Sequence, residues 1–132
     1  MFLATAQAPA TRNILVIEDY SDTRRMLSVL LTKHGYNVIE AEDGLEGFLK
    51  ATGCKPDLII MDLALPEMDG IEATRRIHRT PKLAQVPIIV LSAYLTSDVE
   101  EEALAAGCVE IFPKPFDSES LLDCIAATLQ RP

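Results

Sequence analysis

Asp57-Leu58-Ile59-Ile60-Met61-Asp62-Leu63-Ala64-Leu65-Pro66-Glu67-Met68-Asp69-Gly70 is the stretch on which the reading of the fold turns. From Leu58 to Met61 no polar residue alternates with the apolar ones. That pattern belongs to a strand buried on both faces, as in parallel sheets covered by helices. Pro66 stops the strand and Gly70 leads into a helical pattern, so Asp62 stands at the strand's carboxyl end, where open α/β sheets place their ligand sites. A lone Asp there is ordinarily a turn former or helix cap. Other carboxylates in the same kind of position change that reading.

The first of these lie upstream. Asn13-Ile14-Leu15-Val16-Ile17 is a second apolar strand, and it runs directly into Glu18-Asp19. Ser21 or Asp22 is placed to cap the following helix, in which Leu27, Leu30 and Leu31 form one stripe and which Gly35 ends. Tyr36 to Glu40 alternates as a short strand nearer the sheet edge. Asp43-Gly44 opens a second helix with Leu45, Phe48 and Leu49 facing inward, closed near Gly53. Downstream of Asp62 a third helix is expected from about Met68 to His78, with Ile71, Thr74 and Ile77 on one side. Pro81 and Pro87 bracket a loop before the third fully apolar run, Ile88 to Leu91, which ends at Ser92. Thr96 or Ser97 caps a fourth helix whose inner side is mostly Ala103 and Ala106, with Val99 and Leu104. After Gly107, Val109 to Phe112 makes a fifth strand ending at Pro113-Lys114-Pro115. Asp117 or Ser118 caps a last helix with Leu122, Ile125, Ala126 and Leu129 as its core stripe. Strand and helix alternate five times, which predicts one doubly wound parallel-sheet α/β domain with right-handed crossovers.

Length and composition agree with one domain: 132 residues, 48% hydrophobic and 24% charged. A net charge of -8 points away from nucleic acid and anionic lipid, whose phosphates need clustered Lys and Arg. Protein and small-ion partners are expected instead. Cys54, Cys108 and Cys124 are an odd number with no CxxC pair, so they read as small buried hydrophobes in a reducing cytoplasm. Residues 1–12 lack a basic start and a long apolar core, so they read as a poorly ordered leader rather than a signal peptide, and no run is long enough to span a membrane.

Glu18 and Asp19 from the first strand, Asp62 from the third, Ser92 from the fourth and Lys114 from the fifth all arrive at one edge of this sheet. Two unit charges ~4 Å apart repel by roughly 4 kcal/mol at an effective dielectric near 20, so three carboxylates need protons or a cation. Hard oxygen donors suit Mg²⁺ or Mn²⁺, whereas zinc would want the His or Cys that this edge lacks. Such an ion neutralises the acidic pair and leaves Asp62 ionised as a nucleophile. Carboxylates can accept phosphoryl groups, a transfer that demands alignment and charge neutralisation. The metal, the Lys114 ammonium and the Ser92 hydroxyl would then answer one phosphoryl oxygen each. Prolines on both sides restrict Lys114, and a cis Lys114–Pro115 bond is expected.

The acidic pair after the first strand, Asp62 with Pro66 four residues on and Asp69-Gly70 after it, Ser92-Ala93, and Lys114-Pro115-Phe116 together resemble the receiver domain of two-component response regulators, over about Arg12 to Arg131. The resemblance implies a five-stranded flavodoxin-like sheet of order 2-1-3-4-5 with five helices, the receiver occupying residues 13–131. It implies that Asp62 takes a phosphoryl group from a phosphohistidine on a sensor histidine kinase or histidine phosphotransfer protein. Asp19, Asp62 and the backbone carbonyl of Ala64 would bind Mg²⁺, with Glu18 acting largely through water. Ser92 and Lys114 would bind the phosphoryl group, and their movement would reshape the face of helix 4, strand 5 and helix 5 for a downstream protein. The family's aromatic residue three before the Lys is Ile111 here. Phe112, on the opposite strand face, does not substitute for it. Ala64 and Tyr94 flank the site, where they could set phosphoryl lifetime through water access.

Rival chemistries fit less well. Phosphatases of the haloacid dehalogenase type carry Asp-x-Asp where this chain has Glu18-Asp19-Tyr20, and an acidic pair after strand one would repel the phosphate of a flavodoxin's flavin. A receiver-like scaffold that acts by binding without phosphorylation is the alternative. His34 and His78 read as helix-end residues meeting backbone carbonyls, and Glu100 to Glu102 as a solvated helix face. Leu63, Leu65, Met68 and Tyr94 are expected around the site mouth, where apolar groups could meet a partner. Since the chain ends at Pro132, soon after the last helix, a stand-alone domain with output through binding in trans is expected.

Overall fold

The computed structural model describes residues 11–64 and 69–130. Five strands, β1 (Asn13–Ile17), β2 (Asn37–Ala41), β3 (Leu58–Asp62), β4 (Ile88–Ser92) and β5 (Glu110–Pro113), alternate with α1 (Ser21–Lys33), α2 (Gly44–Cys54), α3 (Gly70–Arg79), α4 (Ser97–Ala106) and α5 (Ser118–Leu129). All the strand pairings are parallel, in the order β2-β1-β3-β4-β5. The expected leader at residues 1–10, the Leu65-Pro66-Glu67-Met68 turn and residues 131–132 lie outside the described residues.

The uninterrupted apolar strands are buried on both sides, and strand alternation splits them into two cores. Leu15, Ile17, Ile59, Met61, Ile88 and Val90 pack with Ala73, Ile77 and Ala103 of α3 and α4. Ile14, Val16, Leu58, Ile60, Ile89 and Leu91 pack with Leu27, Leu31, Leu121 and Ile125 of α1 and α5. Ile111 joins the first core and Phe112 the second, as alternation requires. The parallel direction brings the carboxyl ends of β1, β3, β4 and β5 to one edge.

Several helix faces differ from the sequence-based expectation. On α2, Leu45 and Leu49 are 48% and 58% exposed, and the buried stripe is Gly44, Gly47 and Ala51, with Phe48 partly buried. The helix lies so near β1 that a Cβ on Gly47 would overlap the Ile17 side chain, so small residues, not leucines, make this contact. On α4, Leu104 is half exposed, while Ala103 and Ala106 are buried. On α5 the fully buried row is Leu121, Ile125 and Thr128, one position away from the predicted stripe; Leu122 and Leu129 flank it. Neither Ser21 nor Asp22 caps α1: Tyr20 holds that place without a side-chain bond, and its carbonyl accepts from Arg24 N–H. Asp43, Asp69, Thr96 and Asp117 do cap α2, α3, α4 and α5 through their side chains. β2 and β5 each begin and end one residue later than predicted, and α3 runs Gly70–Arg79. Cys108 is buried, but Cys54 is exposed at the end of α2. Among the described residues no helix is long and apolar enough to cross a membrane.

Candidate functional site

Three carboxylates meet at the sheet edge. Glu18 follows β1, Asp19 follows it into the loop, and Asp62 ends β3; each offers an oxygen within 4.8 Å of the others. Parallel register carries them there, because Ile17 pairs with Met61 and the next residue on each strand is the acid. Glu18 is 1% exposed and Asp62 4%, while Asp19 opens to solvent.

Lys114 answers two of the three. Its Nζ lies 2.8 Å from Glu18 Oε1 and 3.1 Å from Asp62 Oδ1. The Lys114 backbone is fixed by donating its N–H to the carbonyl of Ser92, and the Lys114–Pro115 bond is cis. Burial raises the Glu18 pKa, and the negative charge of Asp62 adds to this; the Lys114 hydrogen bond opposes but does not cancel the rise. For Lys114, burial pulls the ammonium down, but hydrogen bonds and charge from Glu18 and Asp62 outweigh it, and the net shift is upward.

The other predicted residues surround this cluster at different distances. Ser92 is buried at the end of β4, but its Oγ accepts the Tyr94 N–H at 3.2 Å, within its own loop. Ala64 is exposed two residues beyond Asp62, and it lines an open groove with Leu63, Ser92, Ala93 and Tyr94. Leu65 and Met68, expected at this mouth, lie outside the described residues. Tyr94 is 82% exposed. Ile111, partly buried, packs into the core on the side of α2, α3 and α4 and stands away from the carboxylates.

A contact that sequence reasoning missed lies beneath the acidic loop. Arg24 Nη1 donates to the Glu18 carbonyl at 2.9 Å, and Arg24 Nε meets Glu40 Oε1 of β2 at 3.0 Å. No periodic signal joins positions 24 and 40, because the contact runs between a helix and an edge strand.

Three carboxylate oxygens, one solvent-facing, with neither His nor Cys among them, fit a hard divalent cation that keeps water ligands. Lys114 beside Asp62 supplies a fixed positive charge where an anion bonded to Asp62 would lie. The arrangement suits transfer of a phosphoryl group to a carboxylate.

Comparison with known proteins points the same way. A family model described as response regulator receiver domain matches residues 14–126. Chemotaxis protein CheY of Bacillus subtilis (strain 168) is 37% identical over 117 residues, which are 88% of this chain and 96% of CheY. The KDP operon transcriptional regulatory protein KdpE of Escherichia coli (strain K12) is 40% identical over 119 residues, 90% of this chain but 52% of KdpE. The chain thus spans nearly all of one relative and about half of the other. Among solved structures, the receiver domain of sensor histidine kinase PA1611 from Pseudomonas aeruginosa PAO1, which has a magnesium ion coordinated in its active site cleft, is 31% identical. It superposes with a TM-score of 0.86, covering 92% of this chain and 100% of that one. A receiver model that matches most of the chain, on the sheet order that receivers share, leaves one conclusion: this chain belongs to the response regulator receiver domains, the phosphorelay signalling family.

Proposed function

We propose that this receiver takes a phosphoryl group from a phosphohistidine onto Asp62 and thereby changes its affinity for a downstream protein. The observation that carries this reading is the buried Asp62 carboxylate held 3.1 Å from Lys114 and grouped with Glu18 and Asp19. In the transfer an Asp62 oxygen forms a P–O bond as the P–N bond to the donor imidazole breaks. The bonding pair leaves with the imidazole nitrogen, which takes a proton from water. Lys114 turns part of its charge from Glu18 to one phosphoryl oxygen. Ser92 Oγ lets go of the Tyr94 N–H and donates to a second, drawing the loop after β4 toward the site. Glu18, Asp19, Asp62 and the Ala64 carbonyl would hold Mg²⁺, or Mn²⁺ in its place, whose charge neutralises a phosphoryl oxygen.

The donor is a sensor histidine kinase or a histidine phosphotransfer protein, and the receiver, residues 13–131, catalyses only its own phosphorylation and dephosphorylation. Its place is the cytoplasm, and its output is a protein contact rather than nucleic acid or membrane, in keeping with a net charge of -8. With Ile111 half-buried against the core, exposed Tyr94 and its loop carry the Ser92 movement outward, a shift between two populated states.

Intact-mass spectrometry after incubation with acetyl phosphate tests this. The native chain gains one phosphoryl group only when Mg²⁺ is present, and Asp62→Asn gains none. Labelling that persists in Asp62→Asn would move the acceptor elsewhere, and a native chain that never labels would leave a scaffold that works by binding alone.

A further inference from the structure

We infer that Arg24 is a positioning residue that latches the acidic loop to the sheet edge, so that Mg²⁺ affinity is set in part from outside the metal site. The inference rests on the reading of Glu18, Asp19 and Asp62 as the Mg²⁺ ligands.

Arg24 is long and charged, yet its side chain is only 14% exposed. One Nη1 serves two consecutive carbonyls, Glu18 O at 2.9 Å and Asp19 O at 3.4 Å. The same guanidinium meets Glu40 Oε1 through Nε at 3.0 Å. Glu40 is held in turn: its Oε2 accepts the Ser28 hydroxyl at 2.9 Å, and its carbonyl accepts Lys50 Nζ at 2.6 Å. The Glu18 N–H donates to the Ala41 carbonyl at 3.0 Å, one residue further along β2. A planar group that grips both carbonyls fixes the orientation of two peptide planes, and these decide the direction in which the Glu18 and Asp19 side chains leave the backbone. Partners that orient metal ligands from behind tune affinity strongly, and the rigid guanidinium fork has no equivalent in a lysine ammonium.

Simple charge arithmetic predicts the opposite of this role. A cation beside a metal site repels the metal, so removing it should tighten Mg²⁺ binding. Positioning predicts that removing it loosens binding.

The test is calorimetric titration of Mg²⁺ into the native chain, Arg24→Met and Arg24→Lys, with thermal melts in EDTA to show that each is folded. Acetyl phosphate labelling is then followed against Mg²⁺ concentration. Both variants are expected to bind Mg²⁺ ~10-fold more weakly, the usual cost of losing such a partner. Half-saturation of labelling moves by the same factor, while the rate at saturating Mg²⁺ is retained. Arg24→Met that binds Mg²⁺ equally or more tightly overturns the inference, as does a native-like Arg24→Lys; if Arg24→Met does not fold, Arg24→Lys decides alone. A native chain that binds no Mg²⁺ overturns the site reading itself and this inference with it, whereas native binding with unaffected variants overturns this inference only.

Discussion

At the scale of single residues, the site is a charge balance that does not close by itself. Glu18, Asp19 and Asp62 bring three potential negative charges, and Lys114 is paired with two of them. Lys114→Met would leave two carboxylates at 1% and 5% side-chain exposure without a cation. Breaking a buried pair from one side costs several kcal/mol at most, and relaxation with entry of water lowers that to on the order of 2–3 kcal/mol. Asp19→Asn acts in the other direction. It removes one of three like charges while leaving Lys114 in place, and because Asp19 is exposed the gain is screened to on the order of 1 kcal/mol. Urea denaturation in EDTA should therefore show Lys114→Met less stable and Asp19→Asn more stable than the native chain, with the Asp19 effect shrinking in high salt. On the proposed roles, both variants should label poorly with acetyl phosphate, one for want of a contact to the phosphoryl group and the other for want of a metal ligand. Shifts of the same sign in EDTA would mean that the carboxylates do not strain one another. A function-bearing residue that destabilises its own fold is the common stability–activity conflict.

At the scale of elements, close helix approach is what sequence periodicity conceals. Gly70, the first residue of α3, donates its N–H to the Leu63 carbonyl, and a Cβ there would collide with the carbonyl oxygen of Asp62 and with Leu63 Cα. These are backbone atoms at the end of β3 and cannot move without moving Asp62. The atoms nearest a Cβ on Gly47 all belong to the Ile17 side chain, which is fully buried but is not backbone, and Ala regains helix propensity of about 1 kcal/mol. Gly70→Ala should thus cost about 2–3 kcal/mol and slow phosphoryl uptake, while Gly47→Ala costs about 1–2 kcal/mol and leaves uptake intact. Ile17→Val, which removes the Cδ1 contact but keeps both γ-carbons, should recover part of what Gly47→Ala loses. Urea midpoints and labelling rates decide it, and the reverse ranking would show that the segment after β3 yields more readily than the β1 core. The same packing explains what was legible beforehand. Short uninterrupted apolar runs bounded by turn signals read as two-face-buried strands, so the order of elements, the shared edge and the gathering of Glu18, Asp19, Asp62 and Lys114 followed from the sequence. The Ile111 and Phe112 faces followed from strand alternation. The inward face of α2 did not, because Leu45 and Leu49 outweigh Gly44, Gly47 and Ala51 in any hydrophobic reading, although only small residues permit so close an approach. Nor did the α5 stripe, since Leu121 and Leu122 both keep helical spacing with Ile125. The Arg24–Glu40 pair was invisible for lack of any spacing rule between helix and edge strand.

At the scale of the whole molecule, the core between the sheet and α2, α3 and α4 closes around a thiol. Cys108 follows the end of α4, donates its N–H to the Ala103 carbonyl at 3.2 Å, and is 6% exposed among apolar side chains. Burial pushes its pKa from 9.0 up to about 11. In the unfolded chain the thiol ionises near the lower value, so between pH 9 and 11 the unfolded state has lost a proton that the folded state still holds. A raised pKa of this kind gives stability that is fully present below the unfolded value and is lost as pH climbs toward the folded one. Two units at ~1.36 kcal/mol each bound the loss at about 2.7 kcal/mol, and at pH 10.5 most of it, about 2 kcal/mol, should already be gone. Cys108→Ala has no thiol to ionise. It leaves a small cavity at every pH but carries no such slope, and whatever else titrates is common to both chains and cancels. Urea denaturation of both at pH 8 and pH 10.5, under reducing conditions, should show the native advantage over Cys108→Ala falling by about 2 kcal/mol at the higher pH. An advantage that stays constant would mean that the thiol ionises in place, through local opening of the α4 end, without global unfolding. Native-state alkylation separates the cases: exposed Cys54 reacts first in either, but Cys108 is modified at the unfolding rate only if the core must come apart to release it.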